Sequence, residues 1–165
     1  MSEGYDASDN AAVVRRWFEE VWNRGRAEAI DELFDEQGVA HGLTDETGAE
    51  LRGPAHFRSF QRGFREAFPD IEVVVEDTVS EGDKVAARCS VRGRHRGDSL
   101  GIKATDNRVE FDGICIVRVR GGKIVEAWNS FDFMSMFRQL GALRIEAAPT
   151  APDDSGKDDA LPSMD

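Results

Sequence analysis

Residues Val109 to Gly141, VEFDGICIVRVRGGKIVEAWNSFDFMSMFRQLG, form the stretch that decides the fold. Alternating apolar residues predict a long strand, a second strand follows the pair Gly121-Gly122, and Gly141 ends a short helix. Ile114 and Ile116 give the first strand a second apolar face, so we expect it to lie between two layers, or between a core and a partner subunit. Its other face carries Val109, Phe111, Cys115, Val117 and Val119.

Before this stretch, apolar periodicity predicts three helices. The first helix, over 10–23, carries a wide apolar stripe, and a short helix over 27–34 follows it. A third helix begins at the Gly53-Pro54 pair, because proline is tolerated in a first helical turn, and it ends before Pro69. Its phenylalanines recur at helical spacing, so this helix is expected to contribute an aromatic face.

The strands predicted before the quoted stretch differ in length. A brief strand over 38–41 precedes the polar segment 42–52, which we expect to be a loop. From Ile71 the pattern becomes β, with a long strand over 84–96 and a loop over 97–107. Three helices, a run of antiparallel strands and a final helix predict an α+β fold in which helices cover one sheet face.

The formal net charge of −11 falls mainly on the two ends of the chain. We expect residues 1–9 to form a disordered arm and residues 144–165 a disordered acidic tail, with one folded domain over 10–143. The domain is close to neutral, so no nucleic acid partner is expected. The sequence shows no bilayer-spanning apolar run and no leader-like segment, which predicts no membrane partner and a cytoplasmic location.

Histidines and cysteines are too few and too scattered to predict a metal site. His41 and His95 fall at strand ends, where a curved sheet opens, so they are candidates both for chemistry and for ordinary strand-end positions. His56, near a helix start, is interpreted as a surface residue. Cys89 and Cys115 fall in strands and are expected to be free thiols.

Asp132 has two interpretations that do not exclude each other. It directly precedes a helix start, where aspartate is among the best N-caps. It also follows an aromatic strand, and desolvation at the mouth of an apolar pocket would raise its pKa toward that of a useful general acid or base. Helices laid over a curved sheet often leave such a pocket, which suits a small hydrophobic molecule.

Four segments together resemble one known family: RHRGDSLGI over 94–102, VEFDGI over 109–114, GKIVEAW over 122–128 and RQLG over 138–141. They are similar to the SnoaL-like polyketide cyclases, often labelled ester cyclases, of the nuclear transport factor 2-like superfamily. The resemblance covers roughly 10–143. It implies a cone-shaped, curved antiparallel sheet covered by three N-terminal helices, a short C-terminal helix and a homodimer across the sheet. It also implies a cyclase without metal or cofactor, in which an aspartate is the general acid and base of an intramolecular aldol condensation.

The resemblance also implies roles for individual residues. The spacing from tryptophan makes Asp132 the best match to the family's aspartate, with Asn129 as second choice. His95 matches a strand-end histidine of the family, and either His95 or His41 would polarise the substrate carbonyl. Arg88 matches the family's strand arginine. The residues expected to contact the ligand are Trp17, Phe18, Phe57, Arg88, Cys115, Trp128 and Asn129.

The hairpin turn decides whether Asn129 faces the pocket, and two registers are open. A three-residue turn at 120–122 with a bulge puts Asn129 on the same face as Cys115. A turn formed by the two glycines alone puts Glu126 and Trp128 on that face instead.

Three positions depart from the family pattern. Cys115 stands where an acidic or polar residue is common, and Cys89 stands where a tryptophan is expected. Phe18 replaces a tyrosine of the ketosteroid isomerase relatives, and a phenyl ring cannot donate a hydrogen bond to a dienolate, so steroid isomerisation is not expected. These losses leave a non-catalytic ligand-binding or dimerisation module as the alternative to an enzyme.

Overall fold

The computed structural model describes residues 7–150, with four α-helices and six β-strands among them. The predicted arm over 1–9 and tail over 144–165 lie mostly outside the described residues, although the first helix begins a little before the predicted domain start. No helix within the described part is long and apolar enough to cross a bilayer. The elements are α1 (Ala7–Trp17), α2 (Glu28–Leu33), β1 (Phe34–Thr44), β2 (Glu50–Arg52), α3 (Gly53–Ala67), β3 (Glu72–Glu81), β4 (Lys84–Arg94), β5 (Arg108–Arg120), β6 (Lys123–Phe131) and α4 (Phe133–Gln139).

The N-terminal helices occupy their predicted positions. α1 runs directly into a π-helical turn, Phe18–Asn23, so the helical segment ends where the sequence predicts. α3 begins at Gly53 and carries proline in its first turn, where the missing N–H is no loss. The aromatic faces of α1 and α3 meet, with the ring centroids of Trp17 and Phe57 4.9 Å apart.

The six strands form one curved sheet in the order β2-β1-β6-β5-β4-β3. β1 and β6 are parallel, and all other neighbours are antiparallel. The predicted extent of the strand over 38–41 and of the loop over 42–52 is wrong, because β1 continues to Thr44 and β2 lies within the predicted loop. β1 pairs with β2 on one side and with β6 on the other, and this pairing stabilises strand structure in a segment whose polarity predicts a loop.

The hairpin between β5 and β6 turns on the two glycines alone. Arg120 pairs with Lys123, and both Gly121 and Gly122 have positive φ, as a type I′ turn requires. From this turn alone, strand alternation would place Trp128 on the face that the helices cover.

A β-bulge at Val125 reverses that outcome. The ladder between β5 and β6 skips this residue, and one extra residue turns all later side chains of β6 to the opposite face. Asn129 therefore pairs with Cys115 and shares its face, while Trp128 lies on the other. Each predicted register is thus half right. The turn consists of the two glycines alone, as in the second register, but Asn129 shares the face of Cys115, as in the first.

The sheet has two distinct faces. The inner face packs under the helices and carries Ala40, Cys115, Val117, Ala127 and Asn129. The outer face is turned away from the helices and carries His41, Ile114, Ile116, Glu126 and Trp128. Ile114 and Ile116 are 52% and 42% exposed, so the middle of the outer face of β5 carries two apolar side chains that the single chain leaves uncovered.

Candidate functional site

An apolar cavity lies between the inner face of the sheet and the helices. Its volume is about 70 Å³, which is less than half of the roughly 150 Å³ cavity that holds one benzene molecule. Even a single aromatic ring therefore requires that side chains of the wall move. The rings that form most of the helical wall are Trp17, Phe18, Trp22, Phe57, Phe60 and Phe64.

An entrance groove of about 1030 Å³ adjoins this cavity. Its walls are the segment 42–47, α3, the segment 98–101 and α4. Leu43, Phe60 and Phe133 belong to the walls of both the groove and the cavity, so a ligand would reach the cavity from this side. Unlike the cavity, the groove has the volume that a molecule of several fused rings needs.

Asn129 supplies the amide of the cavity wall. Its Nδ2 donates a hydrogen bond to the backbone oxygen of His41 at 2.9 Å, which sets the orientation of the amide. Within residues 7–150 its Oδ1 has no partner, so this oxygen is available to a ligand. No carboxylate or imidazole of the described residues lines the cavity, which makes the wall almost free of charge.

Cys115 lies opposite Asn129 in the β5–β6 ladder and also lines the cavity. A hydrogen bond with Cys89, together with burial, raises the pKa of the Cys115 thiol. The group is therefore a neutral thiol at physiological pH, and it adds a soft, weakly polar surface to the wall. Both cysteines are free, as predicted.

Asp132 is the N-cap of α4. Its Oδ1 accepts a hydrogen bond from the backbone N–H of Ser135 at 2.9 Å, which confirms the predicted capping role. The side chain is exposed and lines neither the cavity nor the groove, although the next residue, Phe133, lines both. Asp132 thus lies at the edge of the site, and its role as general acid and base stays a prediction.

His95 is fully buried behind the site rather than at its mouth. Its Nδ1 accepts a hydrogen bond from the N–H of Thr105 at 3.2 Å, and its ring centroid lies 5.4 Å from that of Phe68. It lines neither the cavity nor the groove. The contacts show a residue that anchors the segment after β4 to the core.

His41, Arg88 and Trp128 lie on the outer face, away from the cavity. His41 Nε2 lies 2.9 Å from Glu126 Oε1, and His41 Nδ1 lies 2.8 Å from Glu50 Oε1. Hydrogen bonds to these carboxylates raise the pKa of the imidazole, and the bond to Glu126 is the larger cause. Arg88 forms an ion pair on the same face. Strand alternation turns His41 and Arg88 outward, and the bulge in β6 does the same for Trp128. Within residues 7–150 no three His, Cys, Asp or Glu side chains are grouped to hold a metal ion.

Asp45 and His56 lie together in the entrance groove, although neither is a predicted site residue. Asp45 Oδ2 and His56 Nε2 are 2.9 Å apart, and the N–H of Arg52 donates to His56 Nδ1 at 3.1 Å. Hydrogen bonds, chiefly from the hydroxyl of Thr47, lower the pKa of Asp45 to about 2. The Asp45–Thr47 spacing is typical of an Asx turn, so the sequence alone indicates a turn at this point. Only the fold brings His56 beside it.

Comparison with known families gives the class of this protein. A family model described as SnoaL-like polyketide cyclase matches residues 12–140, a segment that contains the whole wall of the cavity. The chain belongs to this SnoaL-like family, as the resemblance of its motifs implies. The curved sheet covered by helices is the fold of that family and of its nuclear transport factor 2-like neighbours.

Individual relatives share most of the chain. The aklanonic acid methyl ester cyclase DnrD of Streptomyces peucetius is 31% identical over 130 residues, which cover 78% of this chain and 88% of the relative. The nogalonic acid methyl ester cyclase of Streptomyces nogalater is 30% identical, with 73% of this chain and 90% of the relative covered. The solved structure of TsrD from Streptomyces laurentii aligns with a TM-score of 0.73 at 26% identity, covering 84% of this chain and 99% of TsrD.

Proposed function

We propose that this protein is a cofactor-free cyclase that acts on a small hydrophobic ester of the polyketide class. The observation that carries the proposal is an aromatic cavity with one oriented amide, adjoining a groove with room for fused rings. Family membership supports the same function, since two curated relatives are cyclases of aklanonic and nogalonic acid methyl esters.

The proposed reaction is an intramolecular aldol condensation. A base removes a proton from a carbon next to a carbonyl group, and the enolate carbon then attacks a second carbonyl of the same molecule. The new alkoxide takes up a proton. One C–C bond forms and one C=O π bond is lost, so the reaction as written consumes no oxidant, reductant or cofactor.

Asp132 is the proposed acid and base of this reaction. Oδ1 is held by the helix cap, and among residues 7–150 no group bonds Oδ2, which is therefore free to exchange a proton with a substrate that extends past Phe133. Asn129 Oδ1 would accept a hydrogen bond from a substrate hydroxyl deeper in the site and so orient it. His95 and His41 line neither the cavity nor the groove, so no chemical role is proposed for them.

Turnover of aklanonic acid methyl ester by wild type and Asp132→Asn tests this assignment. Asparagine keeps an acceptor for the N–H of Ser135, so the cap survives while the base is lost. We expect kcat to fall by about 100-fold or more, with an unchanged melting temperature. Asp112→Asn, which alters another exposed aspartate, is the matched control and should retain activity. Full activity of Asp132→Asn would remove Asp132 from the mechanism.

A second candidate function is ligand binding without catalysis. It is favoured by the exposed position of Asp132 and by the lack of a carboxylate in the described cavity wall. Under this alternative the same ester binds and raises the melting temperature of the wild-type protein, but no cyclised product forms. Product formation that depends on the protein concentration would exclude it.

A homodimer across the outer face completes the proposal. Ile114 and Ile116 are exposed side by side on β5, and Val74 on β3, which β4 separates from β5, is also exposed at 36%. A second copy of this chain would bury these side chains, since a two-fold axis brings the same apolar surface to itself. Analytical ultracentrifugation is the direct measurement, and a monomer at every micromolar concentration would contradict the dimer.

A further inference from the structure

We infer that the π-helical turn Phe18–Asn23 determines which ligands fit the cavity, and that Gln61 is its positioning residue. The inference rests on the proposed use of the cavity as the ligand site. π-helical turns are rare within α-helices and frequently occur at functional sites. Here the turn supplies Phe18 and Trp22 to the cavity wall, directly after Trp17 from α1.

The turn is wider than an α-helical turn. The N–H of Arg24 bonds the backbone oxygen of Glu19 at 2.9 Å, a spacing of five residues instead of four. Phe18 and Trp22, which this widened backbone carries, both line the cavity, where they are 6% and 8% exposed. The widened backbone therefore decides how far the aromatic wall reaches into the cavity.

Side chains of α3 bind the backbone oxygens of this turn. Gln61 Nε2 donates to the oxygen of Val21 at 2.9 Å, and the guanidinium of Arg65 donates to the oxygen of Trp22. Gln61 is only 4% exposed, so its amide faces the protein interior rather than water. A buried amide destabilises the fold unless it is hydrogen-bonded, and the bond from Gln61 to Val21 satisfies this amide while it holds the turn in place.

Asn23 attaches the end of the turn to β3. Its Oδ1 accepts from the N–H of Val73 at 2.7 Å, and its Nδ2 donates to the oxygen of Val73 at 3.0 Å. Val73 itself lines the cavity. The turn is thus held both to α3 in the helical wall and to β3 in the sheet, and these contacts place the turn relative to the sheet.

Trp22 transmits the position of the turn to the cavity. Its ring meets three phenylalanines of α3 edge to face, with centroids 6.1 Å from Phe57, 6.2 Å from Phe60 and 6.1 Å from Phe64. The cavity of about 70 Å³ admits a fused-ring ligand only if such rings shift. The opposite wall consists of strands held by backbone ladders, so the side-chain-anchored turn sets the limit on ligand size.

The variant Gln61→Met tests this role. Methionine has a similar volume but no donor, so the oxygen of Val21 loses its partner while the interior stays filled. The measurement is the dissociation constant for one-ring, two-ring and three-ring aromatic methyl esters by isothermal titration calorimetry. We expect the ratio of the three-ring to the one-ring constant to change by about fivefold or more.

Val85→Ala is the matched control. Val85 is fully buried in β4 and lines neither the cavity nor the groove, so this variant lowers the melting temperature without touching the turn. Its ratio of dissociation constants should equal that of wild type. Asn23→Leu removes the attachment to β3 and should change the ratio in the same direction as Gln61→Met, which keeps the test decisive if Gln61→Met does not fold.

The outcomes separate this inference from the proposed function. If wild type binds the esters, and Gln61→Met and Asn23→Leu both keep the wild-type ratio of dissociation constants, the role of the turn is overturned. The proposed ligand cavity is then unaffected. Wild-type protein that binds none of the esters would overturn the ligand cavity and the inference with it. A ratio that changes equally in Val85→Ala would show an effect of stability alone, and would also overturn the inference.

Discussion

The inner and outer faces of one sheet have opposite chemistry in this protein. Asn129 and Trp128 are neighbours in β6, yet the first lines the cavity while the second stacks on His41 with centroids 5.6 Å apart. The outer face gathers imidazole, carboxylate and guanidinium groups, whereas the cavity wall within residues 7–150 holds an amide and a thiol. An ionisable side chain on a central strand is therefore a poor guide to the candidate site, because the low-dielectric interior disfavours charge.

The largest expected effect is loss of stability on truncation of an inner-face ring. Phe34 is 1% exposed, and its centroid lies 5.7 Å from that of Trp17 and 5.6 Å from that of Phe57. Phe34→Ala should lower the free energy of unfolding by about 3–5 kcal/mol, measured by urea denaturation. The outer-face variant Ile114→Ala should lose about 1 kcal/mol or less at protein concentrations too low for self-association. Equal losses would break the distinction between the faces.

A smaller loss is expected when the cavity amide is removed. Asn129→Leu leaves the backbone oxygen of His41 without its donor, which should lower the free energy of unfolding by about 1–3 kcal/mol. The neighbouring exposed residue provides the control, since Ser130→Ala should stay within about 0.5 kcal/mol of wild type. An Asn129→Leu variant with an unchanged free energy of unfolding would show that the amide does not stabilise the junction of β1 and β6.

A charge introduced on the outer face should weaken self-association of the protein rather than the stability of its fold. Ile116→Lys places like charges opposite each other in the proposed dimer, so self-association in sedimentation velocity should weaken by about tenfold or more. Met134→Lys alters an exposed apolar residue of α4 that lies off this face, and should leave association unchanged. The same loss in both variants would point to a different interface.

The smallest expected effect is the pH dependence from His41. Glu126 and Glu50 raise its folded-state pKa above the ordinary value of 6.5. The stabilisation is therefore fully present below that value and is lost as the pH rises through the folded-state pKa. The stability advantage of wild type over His41→Gln should shrink between about pH 6 and about pH 9. An advantage that grows with pH in chemical denaturation would contradict this assignment.

The wall of the site could largely be predicted from sequence. Trp17, Phe18, Phe57 and Cys115 were expected to contact a ligand, and all four line the cavity. Asn129 was also expected there, but its facing depended on which hairpin register forms. Helical spacing of aromatic residues and alternation in β5 are local patterns, so they show which side of an element faces the core. The contact of these residues with a ligand stays a prediction.

The polar residues of the site could not be placed in the same way. Arg88 points outward with the alternation of β4, in which Val85, Ala87, Cys89 and Val91 are the buried set. His95 is buried by the segment that follows β4, and Asp45 meets His56 only because β2 returns the chain to α3. The positions of His95 and Asp45 depend on contacts that local patterns do not contain, whereas the outward position of Arg88 follows from the alternation of β4.

Sequence by itself determined the helices, the long strands, the location of the turn at Gly121-Gly122 and the apolar character of the inner face, because these follow from the spacing of apolar residues and the backbone freedom of glycine. Tertiary structure alone decided the bulge at Val125 and the pairing of β1 with both neighbours. A bulge is a feature of how two strands align, and its energy depends on the side chains that it buries across the sheet. That alignment turned Asn129 toward the cavity and Trp128 away from it.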